Sequence, residues 1–148
     1  MRPAGEAPWW PTFDDVLEIH HRVSAREHRP AQVRSDTEAR ISGALARNRN
    51  RELYGGRMDD CLLAAYLALD IANLQAFVDL NKRTALASLV VFLRQRGWIL
   101  RTHNSEWCAT FILESATAED VDAFAEEFAV ELRLRVERLG PHLVRRLD

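Results

Sequence analysis

Only two cysteines, Cys61 and Cys108, occur in the 148-residue chain, far apart and with no C-x-x-C pairing. Neither a disulfide framework nor a paired-cysteine metal site is expected, and both read as buried thiols in a reducing compartment. Long hydrophobic runs are missing too. The longest, residues 85–93, is interrupted by Ser88 and is about half the length that a membrane span needs. The opening stretch MRPAGEAPWWPTF lacks the apolar core of a secretory signal, so a cytoplasmic protein is the expectation. An excess of either charge is missing as well: 20 basic and 22 acidic residues nearly cancel, and the formal net charge of −2 supplies no overall field for nucleic acid. No direct DNA contact and no membrane contact are expected.

What is present is the composition of a folded globular domain, with 47% hydrophobic and 28% charged residues. A chain of this length forms one domain with a real core. Residues 1–11 are rich in proline and small residues and read as an extended segment carrying Trp9 and Trp10 over the domain. Residues 12–139 read as a helical domain and residues 140–148 as a basic C-terminal tail with Leu143 and Leu147.

Capping signals and apolar periodicity divide that domain. Thr12 with Asp15 forms a variant capping box ahead of the stripe Val16, Ile19, His20 and Val23. A second helix is expected from Ser35, with Glu38 completing its box and Ile41, Ala44 and Leu45 facing inward. Residues 48–57, NRNRELYGGR, read as a loop marked by two glycines. Residues 59–72 are alanine- and leucine-rich on most faces and should form the central helix. A loop over 73–80 leads into a fourth helix over 81–96 that Gly97 stops, and Ile99 and Leu100 form a short extended piece. Residues 105–114 and 117–139 read as the fifth and sixth helices, the last opened by the pattern at Thr117 to Asp120. No strand alternation of useful length appears. The expected fold is all-α, a compact bundle of about six helices around a buried central one.

The stretch Asp79-Leu80-Asn81-Lys82-Arg83-Thr84 interrupts this plain pattern. A helix N-terminus already carries partial positive charge, so cations on its first turn are unfavourable unless something negative binds there. The unpaired backbone N–H groups of such an end form an anion site. Arg83 can grip phosphate oxygens with its planar fork, and Lys82 adds a point charge. Asp79 just before the helix suits magnesium, which takes few carboxylates plus phosphate oxygens. On these residues alone an ordinary alternative stays open: Asp79 or Asn81 as helix caps, with Lys82 and Arg83 on a solvated edge.

The stretch resembles the Fic/Doc signature H-x-F-x-D-x-N-K-R-T-A, which Phe77, Asp79, Asn81, Lys82, Arg83, Thr84 and Ala85 match. Its lysine form is similar to the Doc (death on curing) branch. The opening PTFDDVLEIHHRV, the segment EARISGALARNRN, the helix end FLRQRGW and the run LESATAEDVDAFAEEF extend the resemblance over residues 11–128. It implies a Fic/Doc-like helical fold and ATP with Mg2+ as cofactors. It assigns Asp79 to the metal, Asn81, Lys82 and Arg83 to nucleotide phosphates, and Phe77 to anchoring the loop. For the Doc branch it implies a toxin of a toxin–antitoxin pair that transfers phosphate from ATP to a hydroxyl of elongation factor Tu, held in check by a Phd-like antitoxin. Fic proteins that transfer a nucleotide carry glycine where Lys82 stands and usually arginine where Leu86 stands; neither is present.

One position departs. The family's histidine, two residues before the phenylalanine, is Gln75 here. A glutamine exchanges hydrogen bonds but has no basic nitrogen near neutral pH. Loss of a positioned general base costs about a hundred- to ten-thousand-fold in rate. Two explanations stay open: a natural non-catalytic member kept for nucleotide or partner binding, or a detoxified variant of an active toxin. No other histidine is an obvious substitute by sequence. Leu80 is a milder departure, at a position where many relatives have glycine.

Overall fold

A computed structural model describes residues 7–101 and 105–140. Six helices follow one another: α1 (Phe13–Arg26), α2 (Thr37–Tyr54), α3 (Asp60–Asn73), α4 (Asn81–Gln95), α5 (Ser105–Glu114) and α6 (Val121–Arg135). Two three-residue strands, β1 (Trp98–Leu100) and β2 (Val136–Arg138), pair antiparallel with Ile99 opposite Glu137. The all-α expectation holds, with this ribbon as an addition.

The centre is α3. Eleven of its residues are buried, among them Leu63, Leu67 and Ile71, and it packs most extensively on α4, then α6 and α2. A helix apolar on nearly all faces satisfies its own backbone internally and can be enclosed on every side. Its N-terminus is capped by Asp59, which accepts from Leu62 N at 2.9 Å and is gripped by Arg133 of α6. Burial pushes the thiols of Cys61 and Cys108 up to about 12, so neither is a nucleophile at neutral pH.

Local signals set several ends as expected. Thr12 and Asp15 exchange backbone–side-chain hydrogen bonds at 2.8 and 3.2 Å and open α1. Gly97, at φ 94, ends α4 in the left-handed region that glycine enters freely. Three expectations are corrected. First, α2 begins at Thr37 rather than at Ser35. The Asp36 side chain makes no cap bond, and the Thr37 hydroxyl accepts from Arg34 N and donates to Ala76 O at 2.6 Å, serving a tertiary contact. Second, the polar run read as a loop from residue 48 continues α2 to Tyr54. Its Asn48 is buried and donates to Asp70 of α3 at 2.8 Å, where Arg51 also binds. Third, Asp120 caps α6, Thr117 closes a 3-10 turn, and the chain leaves the helix after Arg135 to pair with β1. On α6, Phe128 and Leu132 are buried, whereas Val121 is exposed. The expectation for the tail with Leu143 and Leu147 lies outside the described residues.

Trp9 and Trp10, just before α1, meet Phe92 of α4 at 6.5 and 5.0 Å between ring centroids. Beneath them lies Arg96, whose side chain is 2% exposed. It donates to Glu52 at 2.6 Å, to Asp60 at 3.0 Å and to Trp9 O at 3.0 Å, tying α4 to α2, α3 and the N-terminal segment. A buried guanidinium stripped of its partners is strongly destabilising, whereas an exposed pair contributes little. Arg96→Ala is therefore expected to lower unfolding free energy by about 3–5 kcal/mol in urea titrations. Arg101→Ala, which removes the exposed pair with Glu137, should cost less than about 1 kcal/mol.

Candidate active site

The loop between α3 and α4 is fixed from several directions. Gln75 (φ 55) and Leu80 (φ 64) both take left-handed backbone, a conformation that costs a side chain-bearing residue about 1–2 kcal/mol. Such geometry persists only when the surroundings over-determine it, and here they do. Arg40 donates to Leu74 O at 2.7 Å, Thr37 to Ala76 O, and Val78 N to Gln32 O at 3.2 Å. Residue 77 also bridges to Val33 as an isolated antiparallel pair.

The strongest clasp is internal. The Asn81 carboxamide accepts from Phe77 N and donates to Phe77 O, both at 3.0 Å. The Phe77 ring is fully buried, stacked on His20 of α1 at 3.8 Å and 11°. His20, itself 1% exposed, meets Thr84 Oγ1 at 3.0 Å through Nδ1, and its Nε2 has no partner among the described residues. When Thr84 donates to Nδ1 the imidazole proton lies on Nε2, and in either tautomer Nε2 has no partner among the described residues. His20 thus braces the loop from behind, buried and away from the surface. Both His21 and His28 are exposed, and His103 and His142 lie outside the described residues.

All five candidate residues, Gln75, Asp79, Asn81, Lys82 and Arg83, sit on this loop and the first turn of α4. Their surroundings differ. Gln75 is exposed and lines an open cleft of about 440 Å3 with Arg34, Ser35, Asp36 and Arg40. Asp79 and Arg83 reach instead to the end of α1. Arg29 donates to Asp79, and Arg83 donates to Glu27 at 2.6 Å, both pairs solvent-exposed. The Arg29 guanidinium, with help from the Leu80 N–H, holds the Asp79 carboxyl below its usual range. Lys82 is half-buried and makes no hydrogen bond or ion pair among the described residues.

The start of α4 carries no side-chain cap. Thr84 N bonds Leu80 O at 2.9 Å, while the N–H groups of Asn81, Lys82 and Arg83 have no acceptor among the described residues. Unpaired amides and an unpaired ammonium at a helix start are donors that an anion can use, whereas the Arg83 guanidinium on the same turn is engaged by Glu27. The Asn81 side chain is committed to the loop, so its backbone N–H is what it offers an anion. No cluster of three metal-ligating side chains exists among the described residues. A cation at Asp79 would therefore complete its shell with phosphate and water oxygens, as magnesium does beside nucleotides.

A model of the Fic/DOC family matches residues 10–93, from Trp10 through this loop and most of α4. The chain belongs to the Fic/DOC family. The match covers more than half of the sequence and every residue of the candidate site; β1, α5, α6 and β2 lie beyond it. No curated protein matches the chain. Within this Fic/DOC domain, sequence reasoning missed Glu27 and Arg29. Neither carries a recognisable signal, because each meets its partner across more than 45 intervening residues.

The state of His20 gives the domain a pH dependence. Burial lowers its pKa below the ordinary 6.5, the neighbouring His21 adds to the lowering, and Asp79 opposes it. The unfolded chain therefore takes up the proton first as pH falls. Stability from this group is complete above pH 6.5, declines below it, and levels off once the folded imidazole also titrates. Thermal midpoints followed by circular dichroism from pH 7.5 to 5 should fall in the native protein. In His20→Phe, which keeps the aromatic stack without the titration, that decline should be lost.

Proposed function

We propose that this Fic/DOC protein is a Doc-branch toxin of a toxin–antitoxin module acting in the cytoplasm, a phosphotransferase toward a protein hydroxyl that is slowed at its base position. The reading rests above all on one observation: among the described residues three unpaired amides and an unpaired Lys82 stand at the uncapped start of α4, with Arg83 on the same turn and Asp79 just before it. Lys82 and Arg83 would hold the phosphates of ATP together with the amides of residues 81–83, and Asp79 would hold Mg2+. Bound there, the metal neutralises charge on the phosphates during transfer.

In such a transfer the acceptor hydroxyl bonds to phosphorus as the bond to ADP breaks, and the hydroxyl proton must leave. Gln75, at the position of the family's histidine by resemblance, lines the cleft through which an acceptor side chain can approach. Its amide can orient a hydroxyl but cannot take the proton. By resemblance the acceptor belongs to elongation factor Tu and the restraining partner is a Phd-like antitoxin.

Gln75 itself favours a second reading, a member that binds nucleotide or partner without turnover. Transfer of a nucleotide rather than a phosphate is the weaker alternative, because Lys82 and Leu86 occupy the positions where glycine and arginine mark that activity. Calorimetry should register Mg-ATP binding, weakened about tenfold or more by Lys82→Ala, which removes a charge-assisted contact. With ATP labelled on the γ-phosphate, Gln75→His should raise transfer to elongation factor Tu by about a hundred- to ten-thousand-fold. Label arriving from adenosine would instead identify a nucleotidyl transferase. No transfer and no growth arrest after this restoration would leave the non-catalytic reading standing.

A further inference from the structure

Two ion pairs join the residues just past the end of α1 to the candidate site, and their signs are crossed. Arg29 sits on Asp79, the residue proposed to take the metal, and Glu27 sits on Arg83, proposed to take phosphate. A cation therefore occupies the metal's carboxylate, and an anion occupies the phosphate's guanidinium. One residue separates Glu27 from Arg29, and that residue, His28, takes left-handed backbone at φ 55. The chain turns sharply there, between the two side chains that meet the loop. We propose that Glu27 and Arg29 are specificity-determining residues that make the site accept a metal–polyphosphate pair in preference to either ion alone; this rests on the reading of Asp79 and Arg83 given above.

The argument is one of charge balance. Without ligand the four side chains form two neutral pairs. A lone divalent cation on Asp79 releases Arg29, adding an unpaired cation to a neighbourhood that already holds Lys82 and Arg83. A lone polyphosphate on Arg83 releases Glu27 beside an incoming anion. When both arrive together, both pairs exchange at once, and the two released side chains, two residues apart, carry opposite charge. Each single ligand thus meets a penalty that the joint ligand does not. Both pairs are exposed, with side-chain accessibilities between 32% and 64%, so each penalty is modest.

The test uses the full chain and three binding measurements: the non-hydrolysable analogue AMP-PNP in EDTA by calorimetry, Mn2+ alone by electron paramagnetic resonance, and AMP-PNP with Mg2+ by calorimetry. Glu27→Gln should tighten metal-free AMP-PNP roughly two- to fivefold, and Arg29→Gln should tighten Mn2+ by a similar factor. Either change should shrink the factor by which Mg2+ improves nucleotide affinity. Arg29→Lys keeps the charge and should bind Mn2+ as the native protein does. Native protein that binds Mg-AMP-PNP, with single-ligand affinities unmoved by Glu27→Gln and Arg29→Gln, would overturn the inference and leave the proposed function intact. Absence of Mg-AMP-PNP binding in the native protein and in both variants would overturn the function, and the inference with it.

Discussion

The paired hydrogen bonds between the Asn81 carboxamide and the backbone of Phe77 are the constraint on which the site depends. They close a five-residue turn whose inner end is a fully buried phenylalanine and whose outer end is the first residue of α4. An amide that both donates and accepts fixes its own orientation and the turn's curvature together. Left-handed backbone at Leu80 follows, because the chain must reverse between the clasp and the helix. Asp79 is carried outward at the tip of this turn, and Lys82 and Arg83 begin the helix that leaves it. A glycine would enter the conformation at residue 80 at no steric cost; leucine tolerates it because both ends of the turn are held.

That rigidity is supplied from the interior. His20 bridges Phe77 and Thr84 from α1, so one buried imidazole touches the residue before the exposed turn and the residue after it. Thr37 and Arg40 of α2 hold the carbonyls of Ala76 and Leu74. The site is thus suspended between α1 and α2 while its helix, α4, packs on the central α3. The buried Arg96 knot does the same at the other end of α4, where Gly97 turns the chain into the ribbon. A turn held from both sides keeps its exposed side chains and backbone groups in fixed positions.

The electrostatics of the turn are self-contained until a ligand arrives. Arg29 and Glu27 screen the very charges that distinguish the loop, while Lys82 and three backbone amides have no partner among the described residues. Gln75 stands apart from these ions and faces the cleft beside the start of α2. The ion pairs and the cleft therefore draw on different neighbours, the end of α1 for one and the start of α2 for the other.

By itself the sequence determined whatever depends on neighbours within a few residues. The capping box at Thr12, the stop at Gly97, the uniformly apolar α3 and the contiguous run from Gln75 to Arg83 were legible because cap, periodicity and motif are local patterns. Family membership was legible for the same reason, since the motif residues lie in one short stretch. What only the tertiary structure decided were outcomes of contacts between distant segments. Asn48 and Arg51 extend α2 because Asp70 of α3 satisfies them, α6 stops where β1 offers a partner strand, and Thr37 gives up capping to hold Ala76. The ion pairs of Glu27 and Arg29 with the loop belong to this class. A charged side chain can be matched by many partners of opposite sign along a chain, and only the packing of α1 against α4 brings one of them within reach.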